Sequence, residues 1–396
     1  MDNYNFFADR SVERHNKSDV WFFISVILLF GMGLFTQIFC TQNYAVRMFH
    51  DPYYFVKRQL LSAATGVVGL LLFSSLKISV IRKTIPFLVG VTAVLCFLAF
   101  VPGVSVKKNG APRWIRMPFN FTLQPSEVVK FTLVLFLANL FDKQLSLNKE
   151  ERNVFPCVFV LMSFIMLVLS QKDLSTSLFI FGVCFLMFAA CGMNIKWAFA
   201  LGVLAVPALF LFIASEPYRI ERVIAFLHPD RGAQTFNYQS IAAKRAISAG
   251  GFWGVGIGTG LVQTARVPEV QADYIFAGWT EAMGLGGVMA YFTLLGFFAW
   301  RGYRIALICK NRFAAIATFG FISMVVCQSV LNCAVVCGAL PSTGIPLPFF
   351  SVGGSSMIVT LCMCGFAINA SRYDSEDISK SESGFVEIED LGGVTL

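Results

Sequence analysis

Charge is scarce in this chain: only 14% of its 396 residues are Asp, Glu, Lys or Arg, while 56% are hydrophobic. Soluble domains carry about a quarter charged residues, so this scarcity, with a mean hydropathy of +0.69, excludes an ordinary soluble enzyme. Histidine is rarer still. His15, His50 and His228 stand far apart, which argues against a histidine-built metal centre. The eleven cysteines form no C-x-x-C pair and fall in or beside apolar runs, so they read as small packing residues. Missing too is any polar stretch long enough for a soluble domain. The N-terminal arm, 1–19, is too long and polar to lead a cleaved signal peptide, and the acidic, Ser-rich tail, 372–396, reads as disordered.

What the chain has instead is long apolar runs. A helix needs about 20 mostly apolar residues to cross the hydrocarbon layer, and ten candidates occur: about 20–40, 59–76, 84–103, 125–141, 155–170, 175–191, 196–214, 274–300, 313–337 and 351–370. The fold class expected is therefore an all-α polytopic membrane protein with about ten transmembrane helices over 20–371. Lys and Arg crowd one set of connections (Arg10, Arg14, Lys17, Lys77, Arg82, Lys83, Arg301, Arg304, Lys310 and Arg312 among them), which places both termini in the cytoplasm. The long segment 215–273, between spans seven and eight, then lies outside, where its cations hardly influence topology.

The informative residues lie on that outer side. The loop between spans three and four keeps Lys107, Lys108, Arg113 and Arg116 where cations are disfavoured, consistent with an anionic partner or with anchoring to lipid phosphate. Glu127 and Lys130, three residues apart at the start of span four, share a helix face and either pair with each other or serve a wet cavity. Asp173 either caps span six or belongs to a site. The long outer segment mixes Arg219, Arg222, Lys244 and Arg245 with apolar residues, and 238–253 has the pattern of an amphipathic interfacial helix. Its GGFWGVGIGTG run follows no strand, so its glycines read as tight turns or close approaches rather than a nucleotide loop. The last outer loop, 337–356, is uncharged and rich in Pro and Gly. Irregular backbone at membrane depth must be buried in protein or line a cavity, so this loop should dip into the bundle. Finally, PEVQADYIFAGWTEAMG sets Glu269 and Asp273 before span eight and Glu281 inside it. Asp273 there is either a helix cap or a chemical group.

The motifs NGAPRWI, FTLQPSEVVKF, QKDLST, YRIERVIAFLHP, NYQ, GGFWGVGIG, PEVQADYIFAGWTEAMG and GALPSTGIPLPFFSVGGSSM, in this order from 109 to 357, resemble those of the shape, elongation, division and sporulation (SEDS) family, the FtsW/RodA/SpoVE group of peptidoglycan glycosyltransferases. The resemblance implies polymerisation of lipid II at the outer leaflet of the bacterial cytoplasmic membrane. The 4-hydroxyl of an incoming lipid II attacks the anomeric carbon of a nascent glycan strand, with inversion, and undecaprenyl pyrophosphate leaves. It implies Asp273 as the catalytic carboxylate. Such a reaction needs a base for the hydroxyl and cations for the pyrophosphate; Arg113, Lys130, Arg219 and Arg222, then Lys244 and Arg245, are the expected cations. Glu127, Asp173, Glu269 and Ser355 complete the expected substrate region, and Glu281 is expected as a buried hydrogen-bonding group facing the bundle. No cofactor is required; a divalent cation, Mg or Mn, could assist, although no ligand cluster demands one. The implied partners are a class B penicillin-binding transpeptidase and other division or elongation proteins, with a septal, FtsW-like role favoured and no nucleic acid. The chain departs from the family pattern at Lys172 and Ser175, where proline and glycine are usual, and at Ala243, Ala282 and Val352, so the turn before span six should differ. A lipid II flippase and a non-catalytic division scaffold are the rival readings.

Overall fold

The computed structural model describes residues 18–108, 111–118, 121–147, 153–192, 220–222, 224, 226, 238–262 and 270–373. Each expected apolar run is helical except 196–214, which lies outside the described residues. The helices are α1 (Val20–Phe49), α2 (Tyr54–Ser75), α3 (Ile78–Leu98), α4 (Pro125–Leu145), α5 (Phe155–Ser170), α6 (Leu174–Ala190), α7 (Tyr238–Gly250), α8 (Ile275–Ile308), α9 (Arg312–Val336) and α10 (Gly354–Ala370). Six of them, α1, α2, α3, α8, α9 and α10 with its short extension to Tyr373, are long and apolar enough to cross a membrane, and α5 and α6 are shorter apolar helices. Local chemistry sets two of the helix starts: α1 starts where the Asp19 carboxylate accepts from the Phe22 amide, and Pro125 opens α4, where its missing N–H costs nothing.

Side-chain bonds fix two opposite ends of the bundle. At one end Arg301 of α8 pairs with Asp19, whose amide donates to Ser371 Oγ just beyond α10. Asn369 donates to Phe73 O and Leu76 O at the close of α2, and Asp142 of α4 accepts from Arg82 of α3 and Arg312 of α9. The ends of α2, α4, α8 and α10 thus meet the starts of α1, α3 and α9, as an up-and-down bundle requires. Around it, exposed apolar residues such as Val68 and Leu71 of α2, Phe87, Val94 and Phe97 of α3 and Phe155 and Phe159 of α5 form the lipid-facing surface, while α9 and α10 are the most enclosed helices and carry Phe313, Phe321 and Phe366 in the core.

Two features were not legible as such. The cationic loop after α3 is a small antiparallel sheet, β1 (Ser105–Lys108), β2 (Ala111–Arg116) and β3 (Thr122–Leu123), in the order β1-β2-β3 with a register shift after Val106. And α8 is not one straight helix. Gly284 has φ 61° and ψ −157°, so a first segment, Ile275–Met283, breaks from the long remainder. The glycine run splints that break: Val255 and Gly256 donate to Glu281 O and Ala282 O, and Leu285 N–H is received by Gly251 O and Phe252 O. The backbones touch so closely that a Cβ at Gly254, itself at φ +80°, would lie 2.2 Å from Ala282 O. The glycines therefore serve close approach, as the absence of a preceding strand implied. We expect Gly254→Ala to cost about 1–3 kcal/mol through overpacking and left-handed strain, read as a lowered melting midpoint in detergent; an unchanged midpoint would contradict the splint.

The last outer loop does enter the bundle. Ile345, Leu347, Phe349, Phe350 and Ser351 are buried, Gln37 of α1 donates to Phe350 O, and Val352 N–H donates to Gln271 O. No disulfide joins any of the eleven cysteines, all of which lie among the described residues, and most are buried.

Candidate functional site

The site sits at the end of the bundle opposite Asp19 and Ser371, where the 337–353 loop, accessible up to Gly344 and mostly buried from Ile345, meets the residues before α8. Asp273 is half-buried there. Its main-chain oxygen accepts from Asn332 Nδ2 of α9 at 2.9 Å, and its carboxylate faces Gly344, where an added Cβ would stand 3.7 Å from Oδ2. The N-cap position of α8 belongs to Tyr274 rather than to Asp273, a correction to the cap reading of the sequence: the helix begins one residue later, with the Tyr274 hydroxyl tied to Ser240 Oγ of α7 at 2.9 Å.

Two cations converge on the same loop. Lys244 of α7 runs its side chain across Gly338, and Arg222 donates through Nη1 to Ser342 O at 3.1 Å. The reason α7 can deliver Lys244 is its pattern: Ala243, Ala246 and Gly250 are buried, while Lys244 and Arg245 lie exposed on the other face. Lys244 and Asp273 thus approach opposite stretches of one loop, six residues apart at Gly338 and Gly344.

A second group lies beside the first. Arg113 of β2 donates to Lys172 O and stands 3.9 Å from Asp173 Oδ1. Asp173 is also the N-cap of α6, accepting from Thr176 N–H, and receives Gln124 Nε2 at 3.2 Å, so it both caps and joins the site. Ser355 Oγ accepts from Gln124 N–H at 3.2 Å. Lys172 adopts φ +61° and donates its N–H to Leu169 O. A proline can do neither, so this turn is one that a proline at this position could not make.

Glu127 and Lys130 meet as their spacing predicts, at 2.8 Å, with side chains 4% and 2% exposed. Lys130 also donates to Gln328 Oε1 at 2.8 Å, and Gln328 in turn donates to Pro346 O at 2.8 Å. The lysine is spent inside the protein on these partners. Glu281 is fully buried and accepts from the Leu261 and Val262 amides, fastening the splint loop to α8. Arg219 and Glu269 lie outside the described residues, and Arg245 is exposed on α7. Among the described residues no group of three or more His, Cys, Asp and Glu is placed to hold a metal ion. Sequence reasoning passed over Gln124, Gln328 and Asn332. Neutral amides inside apolar helices carry no charge signal, and only their bonds to Asp173, Pro346 and Asp273 reveal them.

The model of the cell cycle protein family FtsW/RodA/SpoVE matches residues 19–376. This chain belongs to that family. It is 32% identical over 355 residues to a probable peptidoglycan glycosyltransferase FtsW of Geobacter sp. strain M18, covering 89% of this chain and 96% of that protein. To stage V sporulation protein E of Bacillus subtilis strain 168 it is 33% identical over 361 residues, covering 91% and 98%. Among solved structures, a chain of a peptidoglycan synthase complex that coordinates polymerization and crosslinking superposes with a TM-score of 0.72 at 26% identity, covering 91% of this chain and all of the other. The rod shape determining protein RodA of Thermus thermophilus shares the fold at a TM-score of 0.67 and 22% identity, covering 91% and 99%. The protein is therefore an all-α polytopic membrane protein of the FtsW/RodA/SpoVE family.

Proposed function

We propose that this FtsW/RodA/SpoVE member is a peptidoglycan glycosyltransferase that polymerises lipid II on the outer face of the cytoplasmic membrane. The observation that carries it is the convergence of one carboxylate and two cations, Asp273, Lys244 and Arg222, on the accessible 338–344 stretch of a single loop whose continuation from Ile345 is buried. Glycosyl transfer to a hydroxyl needs this pairing of opposite charges in separate places. Asp273 accepts the proton of the acceptor 4-hydroxyl as that oxygen attacks the anomeric carbon of the nascent strand, and undecaprenyl pyrophosphate departs with inversion. Lys244, Arg222 and Arg113 stabilise the charge that builds on the pyrophosphate; the guanidinium groups suit bidentate contact and Lys244 acts as a point charge. Buried Lys130 acts on the loop from behind, through Gln328 and Pro346. A divalent cation is compatible with the leaving group but has no dedicated ligand set among the described residues. The partner in this reading is a class B penicillin-binding transpeptidase, since the solved relative acts within a peptidoglycan synthase complex, and the place of action is the division septum.

The test is conversion of purified lipid II into glycan strands by the purified chain in lipid bilayers, with and without candidate transpeptidases. Strands visible on gels are the expected result. Transbilayer movement of lipid II without strands would favour a flippase instead, and neither activity with any partner would favour a scaffold.

A further inference from the structure

Two amide side chains one helical turn apart on α9, Gln328 and Asn332, face the loop that carries the site. Gln328 Nε2 donates to Pro346 O at 2.8 Å, and Asn332 Nδ2 is shared between Ile345 O at 2.8 Å and Asp273 O at 2.9 Å. Both are buried, at 4% and 1% exposure. Asn332 is thus one donor group joining two segments that are remote in sequence, the peptide of the carboxylate and the loop it faces. Beside it on α9 the buried Cys333, Val335 and Val336 are apolar, and the Asn332 Oδ1 atom is buried without a hydrogen-bond partner. A buried polar atom left unpaired costs about 1–3 kcal/mol, so a side chain retained at that cost for its other end points to a requirement on that end. Asp273 lies one residue before the N-cap, Tyr274. The Asn332 bond ties the Asp273 peptide to α9, one of the two most enclosed membrane-length helices.

We propose that Asn332 is a positioning residue for glycosyl transfer: it holds the Asp273 peptide in register with the Gly344–Pro346 stretch, so that the carboxylate points at the acceptor hydroxyl. This rests on the reading of Asp273 as the base. Asn332 acts by position, through the Asp273 and Ile345 main-chain oxygens, whereas the cations assigned to pyrophosphate are held by other contacts. Its loss therefore falls on turnover and spares binding.

The experiment compares Asn332→Ala and the shape-preserving Asn332→Leu with wild type and Asp273→Ala, in the full-length chain with its activating transpeptidase where one is required. Three readouts are taken: kcat and KM for lipid II, lipid II bound per protein at saturation, and the melting midpoint. Misplacing a catalytic group by about 1 Å costs about 100-fold in rate, so kcat is expected to fall by about that factor. KM should stay within about twofold, as expected for an interaction made only in the transition state, and stoichiometric lipid binding should persist. Wild-type kcat in a folded variant would overturn the proposal, as would a parallel loss of kcat and bound lipid II. Failure of both variants to fold would make Asn332 a structural residue and overturn it equally. Should Asp273→Ala polymerise normally, the base reading itself falls and the positioning role with it; Asp273→Ala inactive beside fully active Asn332 variants sinks the positioning role alone.

Discussion

Asp273→Ala is expected to abolish glycan strand synthesis while leaving the protein folded and able to bind lipid II. Loss of a general base costs about 100- to 10,000-fold, enough to bring strand formation below detection on a gel. The fold should survive because the Asn332 Nδ2 bond to Asp273 O, which ties this residue to α9, uses the main chain and persists in the alanine variant. Asp273→Asn sharpens the test. It keeps the volume of the side chain against Gly344 but has no basic oxygen to take a proton, and it should be as inactive as the alanine variant. If either variant made strands at the wild-type rate, the carboxylate would be a structural group and the base would have to be sought elsewhere. Lysine and arginine substitutions at the loop predict a different signature. Lys244→Ala should lower kcat without abolishing it, since Arg222 and Arg113 remain.

The largest expected effect on stability is at Lys130. Its ammonium is 2.8 Å from the Glu127 carboxylate and almost sealed from solvent, and Lys130→Met would leave that carboxylate buried with its cation gone. Breaking a buried pair from one side typically costs about 3–5 kcal/mol, whereas replacing both partners by apolar groups of similar volume is often neutral. The double variant Glu127→Leu/Lys130→Met should therefore melt closer to wild type than Lys130→Met does. A single variant as stable as wild type would show that the pair is solvated, and would return Lys130 to the set of groups free to meet pyrophosphate. Gln328 complicates the double variant in a readable way: it loses the donor at its Oε1 but keeps its own bond to Pro346 O.

Much of the architecture was legible because it follows from one property, the partition of apolar residues into runs long enough to cross a bilayer. The run 20–40 became α1, which continues nine residues further to Phe49, while 313–337 became α9 and 351–370 became α10 with shifts of at most three residues at their ends. Near pairs were legible for the same kind of reason. Glu127 and Lys130 sit three apart, a helix puts them together, and they are together. Asp173 lies directly before α6 and caps it. The sheet after α3 was hidden, because three short strands of two to six residues leave no periodic signal. The break in α8 was hidden for another reason: Gly284 follows nine residues of unbroken helical pattern, and only the loop packed against it makes a kink favourable.

The amino-acid sequence alone determined that this is a helical membrane protein, which family motifs it carries, and which ionisable groups sit where hydrocarbon would make them costly. These are local or additive properties, set by composition, hydropathy and residues close in the chain. Only the tertiary structure decided which of those groups face one another. Lys244 reaches Gly338 across a gap of 94 residues, Asn332 reaches Asp273 across 59, and Lys130 is joined to the last outer loop through Gln328, 198 residues away. Such contacts depend on how the helices α1 to α10 pack together, and packing is a property of all their surfaces at once. For that reason Lys130 passed from a candidate phosphate contact to a buried pair, and three neutral amides that carry no charge of their own emerged as the framework of the site.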